Sequence, residues 1–367
     1  MTVTQASKSL RPADVLAKAD TLLPLNADDM HCILALKDAD QIGALFQTAR
    51  RLRGRFFDDT VFFYGFLYTS TWCRNNCAFC YYRRNNQTLP RYRKAQSEIV
   101  DAACQLADSG VHLIDLTMGE DPQLFPKGIW HGDPLAQTIS AVRKATGLPI
   151  MASPGLIPEN AFPPLKDAGA TWYACYQETH NPGLFAQLRR DQPYEQRLNA
   201  KKHAHLAGLL TEEGLLNGIG ETAQDVVDSM QAMADLDADQ VRIMTFIPQS
   251  DTPMAQIPPV DRLREMLVIA LMRLIFPDRL IPASLDVDGR QGLKQRLNAG
   301  ANVVTSLVPP GTGLAGVARN RMDIEEARRT CRGIAPILAD CGLRRASQAR
   351  YQRYIDQRLQ ALEPLKS

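Results

Sequence analysis

Residues 59–321 are predicted to form an α/β fold, a (β/α)8 TIM-type barrel, flanked by an N-terminal helical extension (1–58) and C-terminal helices (322–367). Three observations lead to this. From residue 60 onward, short β-rich runs alternate with amphipathic helical stretches, the pattern of a parallel sheet covered by helices. Eight such runs are present, the number that closes a barrel. Their span of about 250 residues is the usual size of one.

The runs are residues 61–69, 111–117, 148–152, 170–177, 212–217, 239–246, 279–286 and 301–306. The first intervening helix has marked ends: Ser97 is a candidate N-cap, Glu98 and Asp101 suit a first turn, and Gly110 follows the last residue. Residues 1–58 read as helical, with Val15, Leu22, Leu34 and Leu36 among polar neighbours, and residues 322–362 read likewise, ending in a charged tail. Both extensions are expected to pack on the barrel rather than to fold alone.

Composition narrows the class of function. A chain of 367 residues with 45% hydrophobic side chains can bury a large core. Its 42 basic and 40 acidic residues leave a net charge of +2, so no global field draws nucleic acid or an anionic membrane. The opening MTVTQASKSL lacks the apolar core of a signal peptide, and the longest apolar stretch, 266–276, is too short to span a bilayer and contains Arg273. A cytoplasmic protein is expected, its eight cysteines serving as reduced thiols or metal ligands rather than as a disulfide framework.

Active sites of such barrels lie at the C-terminal ends of the strands. Directly after the first run comes WCRNNCAFCYY, which places Cys73, Cys77 and Cys80 in a C-x3-C-x2-C arrangement. Three thiolates on one loop can ligate three irons of a [4Fe–4S] cube and leave the fourth open to a small molecule. A structural zinc site takes four protein ligands, commonly from two separated pairs, and no second pair is present. Buried, unligated cysteines are the plain alternative.

These residues resemble the radical S-adenosylmethionine superfamily, whose signature is C-x3-C-x-Φ-C with an aromatic residue, here Phe79, before the third cysteine. The resemblance implies that S-adenosylmethionine chelates the open iron and is cleaved by one electron to a 5′-deoxyadenosyl radical. Phe79 would then help line the adenine site; alone, it reads equally as packing. Further cofactor contacts are implied at neighbouring strand ends. LTMGED resembles the Gly-Gly-Glu element, with Met118, Gly119 and Glu120 in its place, Met118 standing where the first glycine is usual. Glu178 in YQET would face the cofactor, and Arg197 would pair with its carboxylate. Gly218 and Ile219 in GLLNGIGET resemble the adenine-side G-x-I-x-G-x-x-E element, where glycine lets the backbone approach a flat ring.

Strand alternation turns Asp115, Arg242, Ser284 and Asp286 inward. Isolated buried charges are costly, so Asp115, Arg242 and Asp286 either neutralise one another or await a charged ligand. Two carboxylates and one guanidinium complement a diamino acid; an internal salt-bridge network is the alternative. Met244 and Phe246 on the sixth run suit confinement of a reactive intermediate or ordinary core filling.

FLYTSTWCRNNCAFCYY, IDLTMGEDP, LPIMASPGL, YQET, VRIMTFIPQ, LIPASLD and LNAGANVVTS, in this order from about residue 25 to about 350, are similar to the methylornithine synthase family of pyrrolysine biosynthesis. That resemblance implies rearrangement of L-lysine to 3-methylornithine by fragmentation and recombination, with Asp115, Arg242, Ser284 and Asp286 contacting the amino acid. The side chains would orient and confine rather than act as acids or bases. Two other readings remain at this point. One is a biotin-synthase-like sulfur inserter with an auxiliary cluster, for which the spare cysteines are Cys32, Cys104, Cys175, Cys331 and Cys341. The other is a non-catalytic iron–sulfur electron carrier or zinc module. The basic run Arg83, Arg84, Arg91, Arg93 and Lys94 is either a docking face for an acidic flavodoxin or ferredoxin or a solvated loop.

Overall fold

The structure, a computed structural model, describes residues 10–309 and 329–362. Residues 1–9, part of the expected C-terminal helical stretch (322–328) and the charged tail (363–367) lie outside the described residues. Eight parallel strands form the sheet: β1 (Thr60–Ser70), β2 (Leu113–Met118), β3 (Ile150–Ser153), β4 (Ala170–Ala174), β5 (Leu210–Asn217), β6 (Gln240–Thr245), β7 (Pro282–Ser284) and β8 (Val303–Leu307). Their order is β6-β5-β4-β3-β2-β1-β8-β7. The remaining seam, between β6 and β7, is joined at its lower end, where Val241 N–H donates to the Leu280 carbonyl at 3.0 Å and Leu280 N–H to the Asp239 carbonyl at 3.3 Å. The result is the nearly closed parallel barrel that the sequence predicts.

Because the sheet is covered on both faces, side-chain alternation separates two apolar layers rather than core from solvent. On β1, Val61, Phe63 and Leu67 join the layer between sheet and helices, while Phe62, Tyr64, Phe66 and Tyr68 fill the barrel interior. The three N-terminal helices, Pro12–Asp20, Ala27–Leu34 and Ala39–Phe57, pack on helix Arg262–Ile275.

The C-terminal segment closes the lower mouth. A short strand β9 (Arg344–Arg345), which the sequence pattern does not signal, pairs with the start of β1. The following helix, Gln348–Ala361, sends Tyr351 to the Tyr64 hydroxyl at 2.7 Å and Tyr354 to the Asp239 carbonyl at 2.7 Å. Among the described residues that end is stoppered, and an open cavity lies at the C-terminal ends of the strands.

Local detail departs from expectation at the first intervening helix. It spans Gln96–Ser109 with Ala95 at the N-cap, not Ser97, and Glu98 reaches back to accept from Ala95 N–H at 2.6 Å. The carboxylate three residues into the helix supplies the cap that the alanine side chain cannot. Gly110 ends the helix at φ 95°. Among the described residues no helix is long and apolar enough to cross a membrane.

Candidate active site

The loop after β1 is pinned on three sides. Arg74 N–H donates to the Glu120 carbonyl at 2.9 Å, Ala78 N–H to the Leu188 carbonyl at 2.7 Å, and Arg84 N–H to the Asn75 carbonyl at 2.7 Å. Cys73, Cys77 and Cys80 all border one open cavity at the top of the barrel. Burial, reinforced by Cys77, pushes the Cys73 thiol up to about 12, and burial with Cys77 and Cys73 raises Cys80 further. Three thiolates so placed are unfavourable on their own and need a cationic group among them. Donors are already directed at the sulfurs: Gln192 Nε2 lies 3.0 Å and Arg189 Nη1 3.4 Å from Cys77 Sγ, and Asn75 N–H 3.5 Å from Cys73 Sγ. Among the described residues no three His, Cys, Asp or Glu side chains converge tightly enough for a single metal ion. Three thiols on one loop are one ligand short of a structural zinc site and match a cube with one iron left open.

The residues expected at the cofactor end gather around this loop. Gly119 backs directly onto it, and Glu120 is buried beneath, accepting from Arg197 Nη1 at 3.1 Å, Arg74 Nε at 3.0 Å and Leu156 N–H at 2.9 Å. Burial would raise the Glu120 carboxyl, but Arg197 and these donors outweigh it and hold it below the usual carboxylate range. Glu178 borders the cavity at φ 69°, its carboxylate 2.9 Å from Arg189 Nη2. Arg197 is occupied by Glu120 and, through Nε, by the Tyr176 carbonyl at 2.9 Å, rather than standing free for a cofactor carboxylate. Met118 also borders the cavity.

Gly218 and Ile219 do not reach the cavity wall. Their N–H groups bind the Glu221 carboxylate at 2.9–3.0 Å, Gly218 takes φ 90°, and Ile219 packs in one apolar cluster with Phe79, Leu216 and Phe246. The turn thus meets the Phe79 region through the apolar cluster that Ile219 shares with it.

At the substrate end, Asp115, Arg242 and Asp286 border the same cavity, but they do not neutralise one another. Arg242 Nη1 lies 3.3 Å from Glu212 and donates to Tyr176 Oη at 2.7 Å, while Nη2 reaches Thr305 Oγ1 at 3.1 Å. Its Nε has no hydrogen-bond partner. Asp286 accepts from Arg329 Nη2 at 2.6 Å, Ser306 Oγ at 2.7 Å and Tyr68 Oη at 2.9 Å. Among the described residues Asp115 has only Ser153 Oγ, at 2.7 Å, and burial pushes its carboxyl up to about 8. Ser284 lies off the cavity wall, 3.3 Å from Ser306 Oγ, and accepts from Asp286 N–H at 3.2 Å, so it steadies Asp286.

Sequence reasoning missed Arg189, Glu212 and Arg329. Glu212 carried a signal: two adjacent glutamates inside a strand buried on both faces must each find a cation, and Glu213 on the outer side finds Lys201 at 2.7 Å. Arg329 lies 43 residues beyond Asp286 with no periodic pattern between them. Of the spare cysteines, Cys32, Cys104, Cys331 and Cys341 belong to the outer helices and their ends. Cys175 edges the cavity but packs in the layer outside the sheet, as alternation requires.

Comparison with known proteins fits this geometry. Residues 67–233 match the model of the Radical SAM superfamily. The chain is 39% identical over 328 residues to a 3-methylornithine synthase of Methanosarcina acetivorans, covering 89% of this chain and 92% of the relative. It is 38% identical over 330 residues to that of Methanosarcina barkeri, with the same coverage. A crystal structure of methylornithine synthase (PylB) superimposes with a TM-score of 0.86 at 38% identity, over 93% of this chain and 99% of that one.

Proposed function

Because the chain belongs to the methylornithine synthase family of radical S-adenosylmethionine enzymes, we propose that it is an isomerase that rearranges the carbon skeleton of L-lysine to 3-methylornithine. The observation that carries this reading is one cavity shared by the three thiols and by Asp115, Arg242 and Asp286. Its cofactors are a [4Fe–4S] cluster and S-adenosylmethionine, which together supply the 5′-deoxyadenosyl radical.

Cys73, Cys77 and Cys80 would hold the cluster, with Arg189 and Gln192 donating to Cys77. Phe79, Met118, Gly119, Glu120, Glu178 and Arg197 would shape the S-adenosylmethionine site. In this reading Ile219 would act from the apolar cluster it shares with Phe79, and Gly218 would hold the turn on Glu221. At the far end, Arg242 offers its unpartnered Nε to the substrate carboxylate, while Asp115 and Asp286 receive its ammonium groups. Tyr176 and Glu212 fix the guanidinium, and Ser284 fixes Asp286. No side chain is asked to transfer a proton during the rearrangement. The walls instead keep reactive fragments together and exclude water, a role that Phe66, Tyr68 and Met244 suit.

The electron donor in this reading is a flavodoxin or ferredoxin. Of the basic run, Arg91 turns in to the Tyr82 and Arg83 carbonyls and Arg93 pairs with Asp121 at 2.8 Å, leaving Arg84 exposed beside the loop.

The reading is tested by incubating the anaerobically reconstituted, reduced enzyme with S-adenosylmethionine and carbon-labelled L-lysine. A new amino acid of unchanged mass with a branched skeleton by NMR is expected. Unaltered lysine beside active cleavage of S-adenosylmethionine would reject the mutase and leave the superfamily intact.

A further inference from the structure

Around the cavity, inward-facing charges come in opposed pairs. Arg242 stands 3.3 Å from Glu212, Arg329 2.6 Å from Asp286, and Arg189 2.9 Å from Glu178. Asp115 is different: among the described residues it has no cation within ion-pair distance, and its one hydrogen bond comes from Ser153. It is 1% exposed and borders the cavity from β2. A lone carboxylate in such a place is costly as an anion and tolerable as an acid.

The groups facing it do not change that balance. Tyr68 comes from β1, Ser153 from β3, Tyr176 from just past β4, Glu212 from β5, Arg242 from β6 and Asp286 from just past β7. Glu212 and Asp286 oppose a charge on Asp115, while the Ser153 hydroxyl and Arg242, itself held by Glu212, favour one without outweighing burial. Burial pushes the Asp115 carboxyl up to about 8, in keeping with this arrangement.

We propose that Asp115 carries a proton in the ligand-free enzyme and releases it to solvent when an ammonium group of a diamino acid seats beside it. The inference rests on the lysine reading above and deepens it by assigning the charge at the cavity that has no counter-ion among the described residues. The balance is simple: the O–H bond of Asp115 breaks, its proton passes to the buffer, and carboxylate and ammonium form an ion pair with no electron transferred. A ligand of net charge +1 leaves the filled site neutral once Asp115 ionises. A monoamino acid has no second ammonium to offer and leaves Asp115 protonated. The cavity thus selects for the second amine through a proton.

The test is calorimetric titration of the reconstituted enzyme, holding S-adenosylmethionine but no reductant, with L-lysine at pH 7 in two buffers of different ionisation enthalpy. Close to one proton released per lysine bound is expected. Affinity should rise about tenfold from pH 6 to pH 7 and level off near pH 8, since binding favours the ionised form of a group that is protonated when free. Asp115→Asn should release none and show a flat profile. Lysine binding without proton release, or release persisting in Asp115→Asn, overturns the inference alone. Absence of any lysine binding at every pH overturns the lysine reading and this inference with it. If the variant fails to fold, the two-buffer measurement on the unaltered enzyme decides by itself.

Discussion

Gly119 lies so close to Cys73 that a β-carbon on it would sit 2.7 Å from the Cys73 β-carbon and 2.5 Å from the Trp72 carbonyl oxygen. Both are inside any permitted contact, and one of them is backbone, so the cysteine loop itself must shift. Gly119→Ala is therefore expected to lose most of its iron after reconstitution while keeping its far-ultraviolet circular dichroism. Iron analysis and the cluster's visible absorbance check this; full iron loading would mean that the loop yields without harm.

Arg242→Ala should abolish lysine turnover, by about 100-fold or more, because the substrate carboxylate loses its anchor and Glu212 loses its cation. Iron content should be unchanged. Parallel assays of turnover and iron per chain separate the two; loss of the cluster would show that Arg242 supports the loop rather than the amino acid.

Arg329 and Asp286 are 0% and 7% exposed as side chains and bonded at 2.6 Å. Removing one partner of such a pair strands the other, at a cost of about 3–5 kcal/mol. Arg329→Met is expected to destabilise by that order in urea denaturation, and the double variant with Asp286→Asn should recover much of the loss. An unchanged midpoint in the single variant would contradict the pairing.

Behind the sheet, Glu213 and Lys201 are wholly buried and 2.7 Å apart, and Glu213 also accepts from Gln177 N–H. Burial would raise the Glu213 carboxyl, but Lys201 and His180 outweigh it and hold it well below its ordinary 4.5. A depressed folded-state value means that the stabilisation is complete above about pH 4.5 and is lost as pH falls through the folded-state value. The stability gap between the unaltered protein and Glu213→Gln should thus be constant from pH 8 to 5 and shrink below about pH 4. A gap that widens on acidification would reverse the sign and reject the pairing.

The barrel was legible because its signal is local. Each strand announces itself within a few residues, and the observed β1, β5 and β8 begin and end within two residues of the runs read from the sequence. The cysteine loop was legible for the same reason, as its chemistry lies in one eight-residue stretch. The partners of the inward charges were not, since Glu212 reaches Arg242 only once β5 and β6 pair, and Arg329 reaches Asp286 from outside the sheet. Alternation tells which way a side chain points, not what it meets. It placed Ser284 inward, but the short β7 turns that hydroxyl to Ser306 instead of the cavity. Capping showed the same limit: Ser97 has the right chemistry, yet Glu98 makes the bond from one residue further on.

In the proposed enzyme Cys73, Cys77 and Cys80 hold a cluster with one iron left for S-adenosylmethionine. Mössbauer spectroscopy of the anaerobically reconstituted, iron-57-labelled protein, recorded before and after S-adenosylmethionine is added, tests it most directly. One iron of a [4Fe–4S] cluster is expected to change its isomer shift and quadrupole splitting while the others stay as they were. A spectrum that S-adenosylmethionine leaves untouched, or one from a single isolated metal ion, would contradict the account.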